Sequence, residues 1–352
     1  MSAHPPPDRG RRPTMRDVAG VAGVSLSTVS RVITGSVPVK PELAQRVRDA
    51  VDLLGYRPDA TASTLRRADR VSLTIGLVFE DVANAFFQSV YRHVEDIART
   101  RGVLTIVGSS DEDPDREREL TQAFLGRRVD GLVIAPAGRD QAYLTRDREA
   151  GVALVFVDRP PGFIDADVVM SDNAGGATDG VAHLIAAGHR RIAFLGDADS
   201  TYTARERLAG YRAALEAAGI THDPSLVRMG VRDPRDAGEA AAALLAAADP
   251  PTALFTARNT ITVGVLYRLR ELGLQRTVAL VGFDDLDLAD LIDPGITVVA
   301  QDPAGMGTVA ATRLFARIDG AAGDYDRVVL PTRLVPRGSG EIRPAAVPGA
   351  GA

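Results

Sequence analysis

Residues 14–35 constrain this chain most, because they predict two short helices joined at a glycine. Thr14 can cap the first helix, with Asp17 in the reciprocal position of a capping box, and Gly23 can close it. Ser25 can cap a second helix whose outer face carries small polar groups. The pattern predicts a helix-turn-helix, which fits the major groove of DNA. The alternative interpretation of the same residues is an ordinary helical hairpin whose hydroxyl groups are solvated.

The neighbouring sequence supports the helix-turn-helix interpretation. A third helix is predicted to open at residues 40–42 with proline in its first turn, and an apolar stripe through Val47 and Leu54 can close a three-helix core. Residues 1–70 carry 12 Lys and Arg against 7 Asp and Glu, whereas the whole chain has a net charge of −5. Positive charge concentrated at one end is typical of a DNA-binding head, because cationic side chains release counterions from phosphates.

A specific motif runs through both helices of the predicted head. It consists of Asp17-Val18-Ala19, then Ala22-Gly23-Val24-Ser25, then Thr28-Val29-Ser30-Arg31-Val32. With these residues the chain resembles the LacI/GalR family of bacterial transcription regulators. The resemblance implies a homodimer that binds a pseudo-palindromic operator in double-stranded DNA. The DNA-contacting residues that it implies are Thr14, Ser25, Leu26, Ser27, Thr28, Ser30, Arg31, Tyr56, Leu65 and Arg66.

Within that set, the resemblance assigns the choice of operator bases to Leu26 and Ser27. Leu26 offers no hydrogen bond and would make only apolar contact, for instance with a thymine methyl group. Residues 59–70 resemble the family's hinge helix, which folds on DNA beside its twin and inserts a leucine, here Leu65, into the minor groove. So short a helix is not expected to stand alone in water. Without the neighbouring head, Leu65 would be interpreted as a linker leucine that packs on the body.

From Val71 onward, short apolar runs alternate with amphipathic helical stretches. The alternation implies parallel sheets covered by helices on both faces, with ligands beyond the carboxyl ends of the strands. This region resembles the periplasmic-binding-protein-like core of the same family. The resemblance implies two doubly wound parallel-sheet lobes with a cleft between them. We place one lobe at about 71–160 plus 298–330, and the other at about 161–297 plus the final strand.

The predicted fold class is therefore an all-α helix-turn-helix head plus an α/β core of two lobes. Strands are expected at 73–79, 103–107, 131–135, 152–157, 192–195, 253–256, 278–283 and 296–299. Both ends of the chain are rich in proline, arginine, glycine or alanine, which favours disorder. The predicted divisions are a disordered arm at 1–13, the head at 14–58, the hinge helix and linker at 59–70, the core at 71–337 and a disordered tail at 338–352.

Side chains at the ends of the predicted strands match family positions that line the cleft. An aromatic platform, a guanidinium fork and carboxylate acceptors together suit a polyhydroxylated guest. The effector-binding residues that the resemblance implies are Phe86, Asp158, Arg207, Arg258, Asp284 and Gln301. Taken singly, each would more often be a surface charge or a helix cap.

Arg258 occupies a position where the family often has an asparagine that touches the ligand. A second cleft arginine would favour an anionic guest, such as a phosphorylated or carboxylated sugar, over a neutral one. Equally, Arg258 could pair with Asp284 or Asp158 and leave the pocket neutral. The effector is therefore expected to be a carbohydrate or its phosphorylated or acidic derivative.

Several classes of protein are not supported by the sequence. The chain has no cysteine, its five histidines are scattered, and it contains no phosphate loop or nucleophile elbow, so we expect no catalytic residues, metal or cofactor. The start lacks a basic-then-apolar signal, and the alanine-rich run at 240–248 is too short to span a bilayer. The resemblance to the LacI/GalR family implies a repressor controlled by a small sugar or sugar derivative, and the absences in the sequence are consistent with a cytoplasmic, nucleoid-associated protein. The alternative is a carbohydrate-binding protein without a DNA role.

Overall fold

The computed structural model describes residues 13–34, 37–57 and 72–345. The chain divides into two compact units, a head within residues 1–72 and a core within residues 73–352. Most of the predicted arm and the whole predicted hinge helix, with Leu65 and Arg66, lie outside the described residues. Among the helices that are described, none is both long and apolar enough to cross a lipid bilayer.

Within its described residues, the head contains three helices: α1 at Met15–Ala22, α2 at Leu26–Thr34 and α3 at Pro41–Leu54. The predicted capping box is confirmed, because Asp17 N donates to Thr14 Oγ1 over 3.4 Å while Thr14 N donates to Asp17 Oδ2 over 2.7 Å. Gly23 ends α1 with a φ of 60°, a left-handed conformation that glycine adopts without steric cost. The predicted helix start and stop signals thus lie at the two ends of α1.

The three helices close around a small apolar core. Val18, Val29 and Val47, one from each helix, are fully buried. They pack with Ala22 and Ala50 and with half-buried residues on the same faces. The apolar stripe predicted for α3 is therefore its core-facing side, and the outer face of α2 is left exposed.

The core contains two sheets of six strands each, covered by helices. The strands are β1 Thr74–Phe79, β2 Leu104–Ser109, β3 Gly131–Ile134, β4 Ala153–Val157, β5 Asp167–Ser171, β6 Ile192–Leu195, β7 Val227–Arg228, β8 Ala253–Thr256, β9 Ala279–Phe283, β10 Thr297–Ala300, β11 Arg327–Leu330 and β12 Arg333–Val335. The helices are α4 Ala85–Thr100, α5 Pro114–Gly126, α6 Thr145–Glu149, α7 Asn173–Ala186, α8 Tyr202–Ala217, α9 Pro234–Leu245, α10 Asn259–Glu271 and α11 Pro303–Ile318, with 3-10 turns at Ala142–Leu144 and Pro224–Leu226.

Strand order defines the two lobes. The first sheet runs β11-β5-β4-β3-β1-β2 and is parallel throughout. The second runs β12-β10-β9-β8-β6-β7 and is parallel except for β12, which pairs antiparallel with β10. The predicted α/β core of two doubly wound sheets is confirmed, with one antiparallel edge strand added.

The predicted lobe boundaries need correction. β5 lies in the first sheet beside β4, so the chain first crosses after Ser171 and not at residue 161. β10 lies in the second sheet beside β9, so the second crossing follows Ala300 and not residue 297. No strand is expected at residues 167–171, and no helix separates β4 from β5, so the alternation of strand and helix does not reveal β5 or its place in the first sheet.

The predicted start of the disordered tail is also wrong. Ser339 is buried, and its Oγ donates to Leu280 O over 2.6 Å. Gly340 N donates to Thr297 Oγ1 over 3.1 Å, and the buried ring of His189 lies 2.7 Å from Ile342 O. The glycines and other small residues of this segment suggest disorder, but their small size allows the chain to pack close against the second lobe.

Close packing of α9 against α10 generates a stability prediction. A Cβ on Gly264 would overlap the carbonyl oxygen of Pro234, whereas a Cβ on Gly126 would meet nothing within 4 Å. Because backbone atoms cannot yield cheaply, we expect Gly264→Ala to lower the free energy of unfolding by about 1–3 kcal/mol. Urea denaturation measures this change, with Gly126→Ala as the control. Equal stabilities of the two variants would contradict the packing described.

Candidate functional site

The outer face of α2 carries the predicted base-contacting side chains. Leu26 is 43% exposed, and Ser27 and Arg31 are also exposed. Thr28 and Ser30 are half-buried on the flanks of the same helix. The structure therefore brings these five predicted residues together on one surface, opposite the side that packs in the head core.

A cluster of hydroxyl groups orders the start of α2. Thr28 N donates to Ser25 Oγ over 3.1 Å, which is the predicted helix cap. Ser25 Oγ also lies 2.8 Å from Ser27 Oγ and 2.8 Å from Thr28 Oγ1. The hydroxyls are thus held in position at the helix N-terminus, where backbone N–H groups favour contact with phosphate.

Two predicted DNA-contacting residues have structural partners in the head. The side chain of Thr14 is engaged in the capping box, with its Oγ1 2.6 Å from Asp17 Oδ2. Tyr56 is only 8% exposed and packs in the core of the head. Contact of either residue with DNA stays a prediction, as it does for Leu65 and Arg66.

In the core, all six predicted effector-binding residues line one cavity. They are Phe86, Asp158, Arg207, Arg258, Asp284 and Gln301. The cavity has a volume of about 30 Å³, which holds no more than a few water molecules. The cleft between the lobes is therefore closed in this structure, with its polar groups directed at one another.

The two aspartates occupy equivalent positions at strand ends. Asp158 follows β4 with a φ of 67°, and Asp284 follows β9 with a φ of 73°. Such left-handed backbone is costly for most residues and clusters at ligand sites, although aspartate tolerates it better than others. Asp284 Oδ1 accepts a hydrogen bond from Gln301 Nε2 over 2.5 Å. Within the described part of the chain, the buried Gln301 Oε1 has no donor, so it is an acceptor that a guest could use.

Arg207 is locked in place inside the second lobe. Its guanidinium carbon lies 3.8 Å from the centre of the Phe283 ring. Its Nε donates to Asn173 Oδ1 and its Nη1 to Ala257 O, each over 2.7 Å. Burial lowers the pKa of Arg207, while the carboxylate of Asp284, 3.9 Å away, opposes that effect.

Arg258 pairs with carboxylates that the sequence analysis did not single out. Its Nη1 donates to Asp197 Oδ2 over 2.7 Å, and its Nη2 donates to Glu80 Oε1. The predicted pairing with Asp284 or Asp158 is therefore wrong in its partners. Glu80 and Asp197 each follow a strand, β1 and β6, and that position is the sequence signal that could have revealed them.

Glu80 belongs to a larger buried network in the first lobe. Arg159 donates to both carboxylate oxygens of Glu112, over 2.5 and 2.7 Å, and to Glu80 over 3.4 Å. Burial raises the pKa of Glu80 to about 7; Arg258 and Arg159 oppose the rise and Glu112 adds to it. The site thus contains a carboxyl group that exchanges its proton near neutral pH.

Comparison with known proteins covers both units of the chain. Residues 14–59 match the family described as bacterial regulatory proteins, lacI family, and residues 181–340 match a periplasmic binding protein-like domain. The HTH-type transcriptional regulator CelR of Thermobifida fusca is 37% identical over 341 residues, which are 95% of this chain and 100% of the relative.

Two solved structures resemble the chain over nearly its whole length. One is a complex of the transcriptional regulator CelR with cellobiose, with 34% identity, a TM-score of 0.69, and coverage of 93% of this chain and 100% of that one. The other is the lac repressor dimer bound to operator and the anti-inducer ONPF. It has 27% identity, a TM-score of 0.79, and coverage of 94% of this chain and 99% of that one.

The raised pKa of Glu80 predicts a pH dependence of stability. Because the folded chain holds this proton more tightly than the unfolded chain, the contribution of Glu80 is most favourable below its ordinary pKa of 4.5 and is lost as pH rises through about 7. The loss is on the order of 3 kcal/mol. We expect Glu80→Gln to flatten the fall in unfolding free energy between about pH 5 and about pH 8. Urea titrations across that range test this, with the exposed Glu119→Gln as control, and identical slopes for Glu80→Gln and wild type would refute it.

Proposed function

This chain belongs to the lacI family of bacterial regulatory proteins. We propose that its head and its core have separate functions in transcription regulation. The head binds operator DNA, and the cleft of the core binds a small sugar that alters operator affinity. Family membership makes the chain a DNA-binding regulator and not an enzyme. Its place of action is then the cytoplasm, where we propose that it associates with the nucleoid.

The exposed face of α2 supports the DNA-binding part of the proposal. We infer that Leu26 and Ser27 contact base edges in the major groove, and that Arg31 contacts DNA from the same face. Ser25, Thr28 and Ser30 lie on the same helix or at its start and would contribute hydrogen bonds to phosphates. The match of residues 14–59 to the family argues against the alternative, a carbohydrate-binding protein without a DNA role.

The cavity that gathers all six predicted residues is the observation that carries the effector part. The nearly perpendicular rings of Phe86 and Phe87 both line the cavity, and the aspartates and Gln301 offer acceptors for hydroxyl groups. The lining holds more carboxylates than guanidinium groups. The four carboxylates are those of Glu80, Asp158, Asp197 and Asp284, and the three guanidinium groups are those of Arg159, Arg207 and Arg258. Even with Glu80 protonated, these groups leave no surplus of positive charge, which favours a neutral sugar over a phosphorylated or acidic one. The CelR structure contains the neutral sugar cellobiose.

An exposed apolar surface on the second lobe supports the predicted homodimer. Tyr267 and Leu291 are 68% and 75% exposed and line one surface depression. Leu272 and Leu288 add further exposed apolar area in the same lobe. Exposed apolar groups in such a patch mark an interaction site, and a second copy of the chain is the partner that an operator with twofold symmetry requires. The similar lac repressor is a dimer on its operator.

The DNA-binding proposal is tested with the full chain and a pool of random DNA. We expect selection to enrich an inverted repeat, because a twofold dimer presents two heads. Leu26→Ala and Ser27→Ala should change the preferred bases, and Arg31→Ala should weaken binding by about 1–3 kcal/mol. Gln45→Ala, an exposed change on α3, serves as the control. If no sequence is enriched, or if Arg31→Ala binds as wild type does, the proposal fails.

The dimer proposal is tested by placing a charge on the apolar surface. Leu291→Asp should raise the dissociation constant of the dimer at least about tenfold, because a buried unpaired carboxylate opposes association. Light scattering across a dilution series measures this constant. Phe163→Asp, which changes an 83% exposed residue of the first lobe, is the matched control. An unchanged dissociation constant for Leu291→Asp would exclude this surface from the interface.

A further inference from the structure

The guanidinium group of Arg258 links the two lobes inside the cleft. Glu80 follows β1 in the first lobe, whereas Arg258 and Asp197 follow β8 and β6 in the second. The side chains of Glu80, Arg258 and Asp197 are 11%, 16% and 15% exposed. Arg258 therefore neutralises a buried carboxylate from each lobe at once, and its pairing with Glu80 crosses the lobe boundary.

A pair of amides crosses the same boundary. Asn259 Nδ2 donates to Asn84 Oδ1 over 2.9 Å, and Asn84 Nδ2 donates to Asn259 Oδ1 over 3.3 Å. Asn84 caps α4 in the first lobe and Asn259 begins α10 in the second. The closed lobes are thus joined by polar groups that could equally bind the hydroxyl groups of a guest.

The internal contacts fill the space that a guest needs. The remaining volume is about 30 Å³, whereas pockets for small ligands measure about 300–1,000 Å³. Arg258 lies in the lining and donates to a carboxylate from each lobe. With the lobes closed in this way, the cavity is too small for a sugar ring.

We propose that Glu80 and Asp197 bind the effector and that Arg258 pairs with both of them while no guest is bound. This triad of Glu80, Asp197 and Arg258 then selects neutral, hydroxyl-rich guests against anionic ones. The inference rests on the proposed function of the cleft. A sugar donates hydroxyl hydrogens to both carboxylates as Arg258 withdraws from Glu80, so every buried charge keeps a partner. An anion would instead compete for Arg258 and leave Asp197 buried without a counter-ion and Glu80 with only the more distant Arg159, which is unfavourable.

The ligand-free part of the proposal is tested by measuring the distance between the lobes. The chain has no cysteine, so spin labels can be placed uniquely at Glu119→Cys on α5 and Glu239→Cys on α9, both exposed. Labelled chain diluted with unlabelled chain should give one narrow distance distribution. With Arg258→Gln, the two carboxylates lose their shared counter-ion, and the distribution should broaden to longer distances. Arg92→Gln, which removes an exposed arginine from an ion pair within α4, should leave it unchanged. A narrow, unshifted distribution for Arg258→Gln would overturn the proposal.

The selectivity part is tested by calorimetry with cellobiose as the neutral probe and glucose 6-phosphate as the anionic probe. Arg258→Gln should bind cellobiose about tenfold more tightly than wild type does, because the open state is then already populated. Adding Glu80→Gln and Asp197→Asn should remove that gain, and glucose 6-phosphate should bind none of these proteins. Binding of glucose 6-phosphate that Arg258→Gln weakens would identify Arg258 as an anion anchor and overturn the proposal. Failure of cellobiose to bind any variant would overturn the choice of guest, while the distance measurement still decides whether Arg258 holds the lobes.

Discussion

The burial of charge at the carboxyl ends of the parallel strands is the constraint on which the core depends. The side chains of Arg159, Arg207 and Arg258 are 7%, 5% and 16% exposed. An unpaired charge at such a site would cost several kcal/mol, so each guanidinium must keep an acceptor in every populated state. For Arg258 one of these acceptors, Glu80, belongs to the opposite lobe, so the need for an acceptor favours the closed arrangement of the two lobes.

Stability alone does not account for this cluster. Replacing a buried ion pair by well-packed apolar side chains of similar volume is often neutral or stabilising. Asp158 and Asp284 add the cost of left-handed backbone at two strand ends, and a carboxyl group with its pKa near 7 adds a further cost at neutral pH. Because these costly features lie together in one closed cleft, we infer that the polar groups there exchange their internal partners for the hydrogen-bonding groups of a guest.

Local signals in the sequence predicted the head and most strands, because capping and apolar periodicity act over a few residues. Thr14, Gly23 and Ser25 each play the predicted part in the helix ends. The six cleft residues that the family resemblance implies also line one cavity. Long-range pairing cannot be predicted from these local signals. The expected strands omit β5, whose residues are placed in the wrong lobe, and Glu80 is not singled out because its partner Arg258 lies 178 residues away. A single acidic residue after a strand is too common to identify such a contact.

Control of DNA affinity by a sugar requires that the sugar distinguish between two states of the core, because a ligand with equal affinity for both shifts neither. The contact between Arg258 and Glu80 supplies such a difference, since it can form only when the lobes are closed without a guest between them. A guest that replaces Arg258 at Glu80 shifts the core to a second state, because the guest makes contacts in that state that it cannot make while Arg258 holds Glu80. The departure from asparagine at this position therefore changes more than the ligand contact: it adds an internal competitor, so the guest must overcome a preformed ion pair before it can act on the head.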